Sequence, residues 1–323
     1  MSWMGIEIHS NITEFLLLGF SDFSPVSQSS IMAFFVFSYI CSVLGNGLII
    51  VLATAEPHLD TPMYFFLRNL SFIELCTTNV VVPKVLENLW SGKKSISFLG
   101  CAAQMSVFFT FAVSECVFLM MMAFDRYMAI CCPLRYTSVM NTGMCYKLTT
   151  GSWVVGSLVY FSQTWYIFSL PYCNSNHIVH FFCDFPPVLT LACADTFIIK
   201  LSVSIACICG AALPLLVIFC SYIKILYSVL FIRSMEGRHK ALSTCGAHLV
   251  SVVLYYGTAM FMYLRLGTSG PGANDRMIAL FYCIIIPTVN PLIYSLRNKD
   301  MKTALGKHFK LFPLSPGIKR LHK

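Results

Sequence analysis

Seven apolar stretches, separated by short polar ones, run along almost the whole chain. They cover 29–53, 62–86, 99–130, 147–169, 196–226, 243–264 and 276–296. Each is long enough to cross the hydrocarbon layer of a membrane as a helix, since that layer is about 30 Å thick. The pattern predicts an all-α membrane protein, a seven-transmembrane helix bundle at 29–296, with an N-terminal tail at 1–28 and a C-terminal tail at 297–323.

Composition agrees with a membrane protein and argues against a soluble one. Of the 323 residues, 57% are hydrophobic and only 11% are charged, whereas about 25% of a soluble domain is charged. The net charge of +8 does not predict a nucleic-acid partner, because the basic residues lie beside the apolar stretches. The partner predicted by this pattern is membrane lipid.

The distribution of lysine and arginine predicts the orientation in the membrane. Most of these residues lie in the C-terminal tail and in the loops on the same side of the membrane as that tail. Because cytoplasmic loops are enriched in Lys and Arg, we expect the N-terminus to be extracellular and the C-terminus cytoplasmic. Asn11 begins an Asn-Ile-Thr sequon on the predicted outer tail and is therefore a predicted glycosylation site.

The long extracellular loop, at about 170–195, carries Cys173, Cys183 and Cys193, and Cys101 lies at the outer start of the third stretch. Four cysteines in an oxidising compartment allow three disulfide connectivities, and spacing does not choose among them. His177, His180 and Cys183 have a spacing found in metal sites. No fourth ligand is obvious and a disulfide-bonded thiol is a poor ligand, so no metal site is predicted.

The third stretch ends in an acid and a base side by side, Asp125 and Arg126. A charge at the centre of a membrane helix costs about 2.5–3.5 kcal/mol on insertion scales, so such a pair indicates a functional role at a membrane face or in a cavity. From the start of the sixth stretch, Lys240 and His248 are expected to face the Arg126 end of the third.

A second polar group is predicted inside the bundle. Asn46, Glu74 and Asn290 lie at comparable depths in the first, second and seventh stretches, and Pro291 frees a backbone carbonyl beside them. Two interpretations stay open. The group either makes ordinary interhelical hydrogen bonds or forms a switch that rearranges when helices move.

No catalytic residues, and no cofactor, are predicted. The chain has no Gly-x-Ser-x-Gly elbow, no His-Glu-x-x-His and no phosphate-binding loop. A transporter or channel for a small solute is the alternative function, for which charged residues should line a continuous path. The stretches supply mainly isolated or terminal charges: Arg68, Glu74, Lys84 and Lys200.

Several motifs resemble those of a known family. Residues 124–127 (FDRY) and 290–294 (NPLIY) resemble motifs of the rhodopsin-like G-protein-coupled receptors. A finer set resembles the olfactory receptors: 59–67 (LDTPMYFFL), 122–131 (MAFDRYMAIC), Ser221-Tyr222, 240–245 (KALSTC) and 287–298. The departures are mild, with Asp60, Glu74, Phe124 and Leu242 standing where the family usually has His, Asp, Tyr and Phe.

The resemblance implies a signalling role and a set of residues for it. It implies disulfides Cys101–Cys183 and Cys173–Cys193, a multi-pass plasma-membrane protein of olfactory cilia, and coupling to a stimulatory, olfactory-type heterotrimeric G protein that raises cyclic AMP. Arg126 would be held at rest by Asp125 and by polar groups of the sixth helix. The activation residues would be Asp125, Arg126, Tyr127, Tyr222, Lys240, His248, Asn290, Pro291 and Tyr294.

The ligand site would lie in the outer half of the bundle, among the third, fifth and sixth helices. The predicted residues are Phe108, Phe109, Ala112, Val113, Ala206, Gly210, Tyr256, Ala259 and Tyr263. This mostly apolar and aromatic set predicts a small volatile organic ligand with one hydrogen-bonding group. Phe108 stands where an amine receptor carries an acid, so an amine ligand is not expected.

Overall fold

The computed structural model describes residues 12–173, 175–231, 234–264 and 273–308. The predicted glycosylation site, Asn11, lies outside the described residues. In chain order the helices are α1 (Pro25–Ala55), α2 (Pro62–Ser91), α3 (Phe98–Cys131), α4 (Pro133–Val139), α5 (Thr142–Phe168), α6 (Phe185–Leu189), α7 (Phe197–Cys207), α8 (Leu213–Leu230), α9 (Met235–Leu264), α10 (Ala273–Leu280), α11 (Ile286–Arg297) and α12 (Lys299–His308).

Single helices, or two consecutive helices joined end to end, form seven rods that match the seven predicted stretches. They are α1, α2, α3, α5, α7 with α8, α9, and α10 with α11. Among the described residues, five rods are both long and apolar enough to cross a membrane: Pro25–Ala55, Pro62–Ser91, Phe98–Cys131, Phe197–Leu230 and Arg276–Ser295. α5 and α9 have 27 and 30 residues. The predicted seven-helix architecture is confirmed.

Local sequence explains where the long helices begin and end. The side chains of Ser24, Ser97 and Asn141 cap α1, α3 and α5 by accepting a backbone hydrogen bond from the first turn. Pro62 occupies the first turn of α2, where no backbone donor is needed. At the other end, α2 stops at Gly92, whose φ of 70° is the left-handed conformation that glycine adopts at low cost.

Two of the rods contain a wider π-helical turn next to a proline. Ile208–Ala212 joins α7 to α8 two residues before Pro214, and Phe281–Ile285 joins α10 to α11 two residues before Pro287. Proline lacks a backbone donor and clashes with the preceding turn, so an adjacent π-turn accommodates it without ending the rod.

A three-stranded sheet, which the sequence pattern did not predict, covers one end of the bundle. β1 (Glu14–Leu17) is its middle strand, antiparallel to β2 (Ser95–Ser97) and parallel to β3 (His177–Ile178). We call it the cap sheet and call this end of the bundle the sheet end. A buried core rich in aromatic side chains lies beneath it.

The opposite end of the bundle carries α4 and α12, and we call it the α12 end. α12 is fixed there by the buried Glu56 carboxylate, which accepts hydrogen bonds from Lys307 Nζ at 2.9 and 3.1 Å and lies 2.6 Å from His308 Nε2. The Lys307 hydrogen bonds lower the pKa of Glu56, with smaller contributions from His308. Tyr64 Oη donates to Asn298 Oδ1 at 2.9 Å and so joins the start of α2 to the turn before α12.

The contact between α1 and α11 depends on Gly45. A Cβ at position 45 would lie 2.8 Å from Pro291 Cβ, whereas a Cβ at Gly47 would meet no atom within 4 Å. Because the proline ring cannot turn away, Gly45→Ala is expected to destabilise the bundle by about 1–3 kcal/mol through overpacking. Gly47→Ala is the matched control. Thermal unfolding in detergent should separate the two variants, and equal midpoints would contradict this account.

Candidate functional site

Phe108 connects the third helix to the cap-sheet loop and to the seventh rod. Its ring centroid lies 4.9 Å from that of Phe182, just before the loop disulfide, and 5.9 Å from that of Tyr282 in the π-turn between α10 and α11. Phe108 is buried. The structure thus gives this predicted ligand residue two aromatic neighbours that sequence reasoning missed.

Phe109 packs against α5 and α6. Its ring stacks on Phe185 of α6 at a centroid distance of 4.0 Å and lies 5.9 Å from Tyr160 of α5. All three rings are buried. Phe109 therefore belongs to a packed cluster of α3, α5 and α6. The sequence signal that sequence reasoning missed here is the group of aromatics around Cys183.

Small side chains bring the third and fifth rods together below these rings. A Cβ at Gly210 would lie 3.1 Å from both methyl carbons of Val113. The backbone carbonyl of Ala112 accepts a hydrogen bond from Tyr255 Oη at 2.6 Å. Ala206 lies in α7, one turn before Gly210. Ala112, Val113 and Gly210 thus lie at the contact between α3, the fifth rod and α9.

Tyr256, the predicted ligand residue on α9, has its hydroxyl directed at the third helix. It donates to the backbone carbonyl of Cys116 at 3.3 Å. The backbone of Ala259 and Tyr263 continues α9 toward the sheet end, and their side chains lie outside the described residues.

Two disulfides join the loop at the sheet end. Cys101 of α3 pairs with Cys183, and Cys173 pairs with Cys193 within the loop. These are the two pairs that the resemblance implied. Gln104, one turn after Cys101, accepts from the backbone N–H of Cys183 at 2.9 Å and donates to the Val80 carbonyl at 2.9 Å. The disulfide and this side chain fix the loop against α3 and α2.

The polar residues Asn46, Glu74 and Asn290 lie together inside the bundle. Asn290 Nδ2 donates to the Glu74 carboxylate. Asn46 Nδ2 donates to the Pro287 carbonyl at 3.0 Å. All three polar side chains are buried. They tie α1 and α2 to the seventh rod beside the Gly45–Pro291 contact.

Glu115 is a second buried acid near this group, and sequence reasoning missed it. Its side chain is 3% exposed, and Oε1 has no hydrogen-bond partner among the described residues. It lies within electrostatic range of Glu74. The signal was available, because a charge in the middle of the apolar third stretch costs more than a charge at its end.

At the α12 end, Asp125 and Arg126 make a loose contact. Arg126 Nε lies 4.0 Å from Asp125 Oδ2, and Arg126 is 16% exposed. Asp125 Oδ1 instead accepts a short hydrogen bond from Tyr136 Oη of α4, at 2.8 Å. Tyr127 accepts a weak hydrogen bond from the Cys132 thiol at 3.9 Å. Tyr136 was not predicted, and it binds the acid, while the Arg126 side chain stays mostly buried at the α12 end.

His248 of α9 makes a three-helix link. Its Nδ1 lies 2.8 Å from Tyr222 Oη of α8, and its Nε2 lies 3.0 Å from the Leu119 carbonyl of α3. The two rings also stack, with centroids 5.7 Å apart. In the described part of the chain, His248 thus contacts Tyr222 and Leu119. The resemblance had implied that polar groups of α9, the sixth membrane helix, contact Arg126. The Lys240 side chain lies outside the described residues, and Tyr294 is buried in the same core.

The three residues with metal-site spacing in the loop, His177, His180 and Cys183, lie in different environments. His177 is exposed in β3, His180 is buried, and Cys183 is in a disulfide. Among the described residues, no group of three His, Cys, Asp or Glu side chains could hold a metal ion. His180 instead packs between Phe181 and Phe182, with centroids 4.7 Å from each.

Comparisons with known proteins agree with this architecture. A family model described as olfactory receptor matches residues 35–310. Olfactory receptor 5B21 of Mus musculus is 45% identical over 312 residues, which cover 96% of this chain and 98% of the relative. Olfactory receptor 10A7 of Homo sapiens is 44% identical over 301 residues, with coverage of 93% and 95%. The crystal structure of squid rhodopsin has a TM-score of 0.73 at 19% identity, covering 89% of this chain and 82% of its own.

The fold is therefore that of a rhodopsin-like, seven-transmembrane G-protein-coupled receptor. Within that class, the chain belongs to the olfactory receptor family. It is accordingly a multi-pass plasma-membrane signalling receptor for odorants and not an enzyme, with a small ligand and a G protein as partners. The resemblance seen in the sequence motifs is confirmed.

Acid is expected to destabilise the sheet end through His180. Burial, together with a smaller effect of the nearby Arg276 charge, lowers the pKa of His180 to about 3. An unfolded histidine has a pKa of about 6.5. The opened loop thus binds a proton more readily than the closed one, so this stabilisation is complete above pH 6.5 and falls as the pH drops toward 3. Between pH 7 and pH 5 the loss is about 2 kcal/mol.

Thermal unfolding in detergent at pH 7 and pH 5 measures this loss. His180→Gln should reduce the acid sensitivity, because the titrating ring is gone. His177→Gln removes an exposed histidine three residues earlier and is the matched control, which should keep the wild-type sensitivity. An unchanged acid response in His180→Gln would refute the assignment.

Proposed function

We propose that the receptor binds a small, mostly apolar volatile molecule in the half of the bundle next to the cap sheet. The proposal is supported by Phe108 with its neighbours Phe182 and Tyr282, and by the small residues Val113 and Gly210 below them. Sites of this kind, mostly apolar with a few polar groups, favour ligands of the same character. Tyr282, whose ring lies beside Phe108, would supply a hydroxyl to the site.

The proposed orientation places the sheet end outside the cell and the α12 end in the cytoplasm. Two observations support it. Both disulfides lie at the sheet end, and disulfides form in oxidising compartments. Lys302 and Lys307 of α12 lie at the other end, in agreement with the excess of basic residues on cytoplasmic segments. In this orientation Asn11 is available for glycosylation, and olfactory cilia are the proposed location.

Membrane lipid is the proposed environment of the outer faces of α5 and the fifth rod. Large apolar side chains are exposed there, among them Leu158, Phe161, Trp165, Phe219 and Leu226. A continuous apolar surface of this kind is costly in water and favourable in hydrocarbon.

The proposed signal is activation of a stimulatory heterotrimeric G protein and a rise in cyclic AMP. Its resting state is held by the link from His248 to Tyr222 and Leu119, because α9 cannot move away from α3 and α8 while both hydrogen bonds persist. Ligand binding at the sheet end would favour the arrangement in which α9 has moved and Arg126 is accessible. The observation that carries the proposal is the placement of Arg126 at the α12 end, mostly buried and only loosely paired with Asp125, in a chain of this family.

A cyclic AMP reporter in cells, exposed to a panel of volatiles, tests the proposal. Arg126→Ala is expected to abolish the response of an active volatile while the surface amount stays normal. Arg68→Ala is the control, because Arg68 lies near the same end of the bundle but packs 5.4 Å over the Phe65 ring. Ligand-dependent current or uptake in cells without the G protein would overturn the receptor mechanism and favour a channel or transporter.

A further inference from the structure

The residues that precede α1 cover the sheet end as a lid, which we define as residues 13–23. Its backbone is bonded on both sides. The Phe98 N–H donates to the Thr13 carbonyl at 2.9 Å, the Leu17 N–H donates to the Lys94 carbonyl at 2.8 Å, and the Leu18 N–H donates to the Ile178 carbonyl at 2.9 Å. Alternate side chains, Phe15 and Leu17, are buried in the core below. The lid thus supplies the middle strand of the cap sheet, between the segments that carry β2 and β3.

One end of the lid is held by Arg276, near the start of the seventh rod. The Arg276 guanidinium is 6% exposed and donates to both carboxylate oxygens of Asp22, each at 2.6 Å, and to the Gly19 carbonyl. It also lies 5.8 Å from the Phe23 ring centroid. These hydrogen bonds lower the pKa of Asp22. A buried guanidinium needs a paired anion, and here a residue of the lid supplies that anion.

The lid is in contact with the ligand site through a row of rings. Phe20 stacks on Phe181 with centroids 5.5 Å apart, Phe181 lies 5.2 Å from Phe182, and Phe182 lies 4.9 Å from Phe108. Phe20 and Phe181 are both buried. When the lid moves, Phe181 loses the ring that covers one of its faces, and the position of Phe182 over Phe108 is no longer fixed.

We propose that Arg276 is a positioning residue for ligand binding, which holds the lid closed through Asp22 and Gly19 and thereby keeps Phe182 against Phe108. This proposal rests on the proposed ligand site. Asp22 is the side chain to change, because 56% of it is exposed and it lies outside the helices. Opening of the lid weakens the hold on the ligand and therefore speeds its dissociation.

The first test measures the lid without any ligand. Leu17→Cys places a thiol at a position that is 1% exposed, and a membrane-impermeant maleimide is applied to intact cells. We expect labelling to be slow in the otherwise wild-type receptor and at least about tenfold faster when Asp22→Ala is added. Glu14→Cys, at an exposed position of β1, is the control and should label equally in both backgrounds. Equal labelling of Leu17→Cys in both backgrounds would overturn the proposal.

The second test measures ligand binding through the response to an active volatile. Asp22→Ala should raise the half-maximal concentration about tenfold and shorten the decay after washout, at an unchanged surface amount. Asp22→Glu keeps a carboxylate and should restore both values, which a general loss of stability would not do. A half-maximal concentration that stays at the wild-type value despite faster labelling would refute the positioning role. A wild-type receptor that gives no cyclic AMP response to any volatile would contradict the proposed function. The labelling of Leu17→Cys would still test whether Asp22 holds the lid closed.

Discussion

His248→Phe is expected to raise the ligand-free cyclic AMP level of receptor-expressing cells. The variant keeps a ring that can stack on Tyr222 but removes both hydrogen bonds, to Tyr222 Oη and to the Leu119 carbonyl. A typical protein hydrogen bond stabilises by about 1 kcal/mol. The loss of two shifts the balance between resting and active receptor by a factor on the order of ten or more.

Tyr222→Phe separates the two halves of the link. It removes the hydrogen bond between α8 and α9 but leaves His248 bonded to the third helix, so the basal level should rise less than in His248→Phe. In the double variant the two effects should not add, because both substitutions remove the same hydrogen bond.

Basal cyclic AMP per receptor at the cell surface is the measurement for all three variants. Tyr255→Phe is a useful control, because it removes another hydrogen bond between α9 and α3, to the Ala112 carbonyl, nearer to the sheet end. A basal level in His248→Phe equal to that of the wild type, with the odorant response preserved, would show that the link does not hold the resting state.

The helical architecture could be predicted from the sequence because each span carries its own signal. An apolar stretch of about 20 residues must form a helix in a membrane, where every backbone polar group has to be bonded within the segment. The first predicted stretch, 29–53, misses only the capped ends of α1 at Pro25 and Ala55. These ends depend on the Ser24 cap and on the chain beyond the hydrocarbon layer, which hydropathy does not report.

The cap sheet could not be predicted, because its information is not local. β1 has four residues and β3 has two, and each is bonded to segments far away in the sequence. Strands this short carry too few alternating positions for a pattern to emerge. The same reason explains why Phe182, in the loop, was missed as a neighbour of Phe108, whereas residues on α3 could be placed by helical periodicity.

The interior polar group contains residues that could be predicted from the sequence and a residue that was overlooked. Asn46, Glu74 and Asn290 could be predicted to meet, because each lies at a similar depth in an adjacent span. Glu115 carries the same signal but was overlooked, and it adds a second acid near Glu74. Tyr136 could not have been assigned to Asp125 from the sequence, since the path of α4 after α3 decides that contact.

Removal of the Cys101–Cys183 disulfide is expected to prevent delivery to the cell surface. The double variant Cys101→Ser/Cys183→Ser opens a covalent loop of 82 residues. In the chain-entropy model, closing a loop of this length stabilises the fold by about 4.5 kcal/mol. Both cysteines are fully buried, so two polar hydroxyls would also replace a buried disulfide beneath the cap sheet. The amount of receptor at the surface, measured by flow cytometry against the total amount, should fall to background.

Cys173→Ser/Cys193→Ser is the matched comparison and should be tolerated better. It opens a covalent loop of only 20 residues, whose closure stabilises the fold by about 3.3 kcal/mol in the same model. Both of its cysteines are exposed, so no buried packing is lost. The loop keeps its hydrogen bond from the Cys183 N–H to Gln104 and its disulfide to α3. Surface amounts that fall equally in the two double variants would show that chain closure and burial do not set the difference, and that the loop folds as one unit held equally by both bonds.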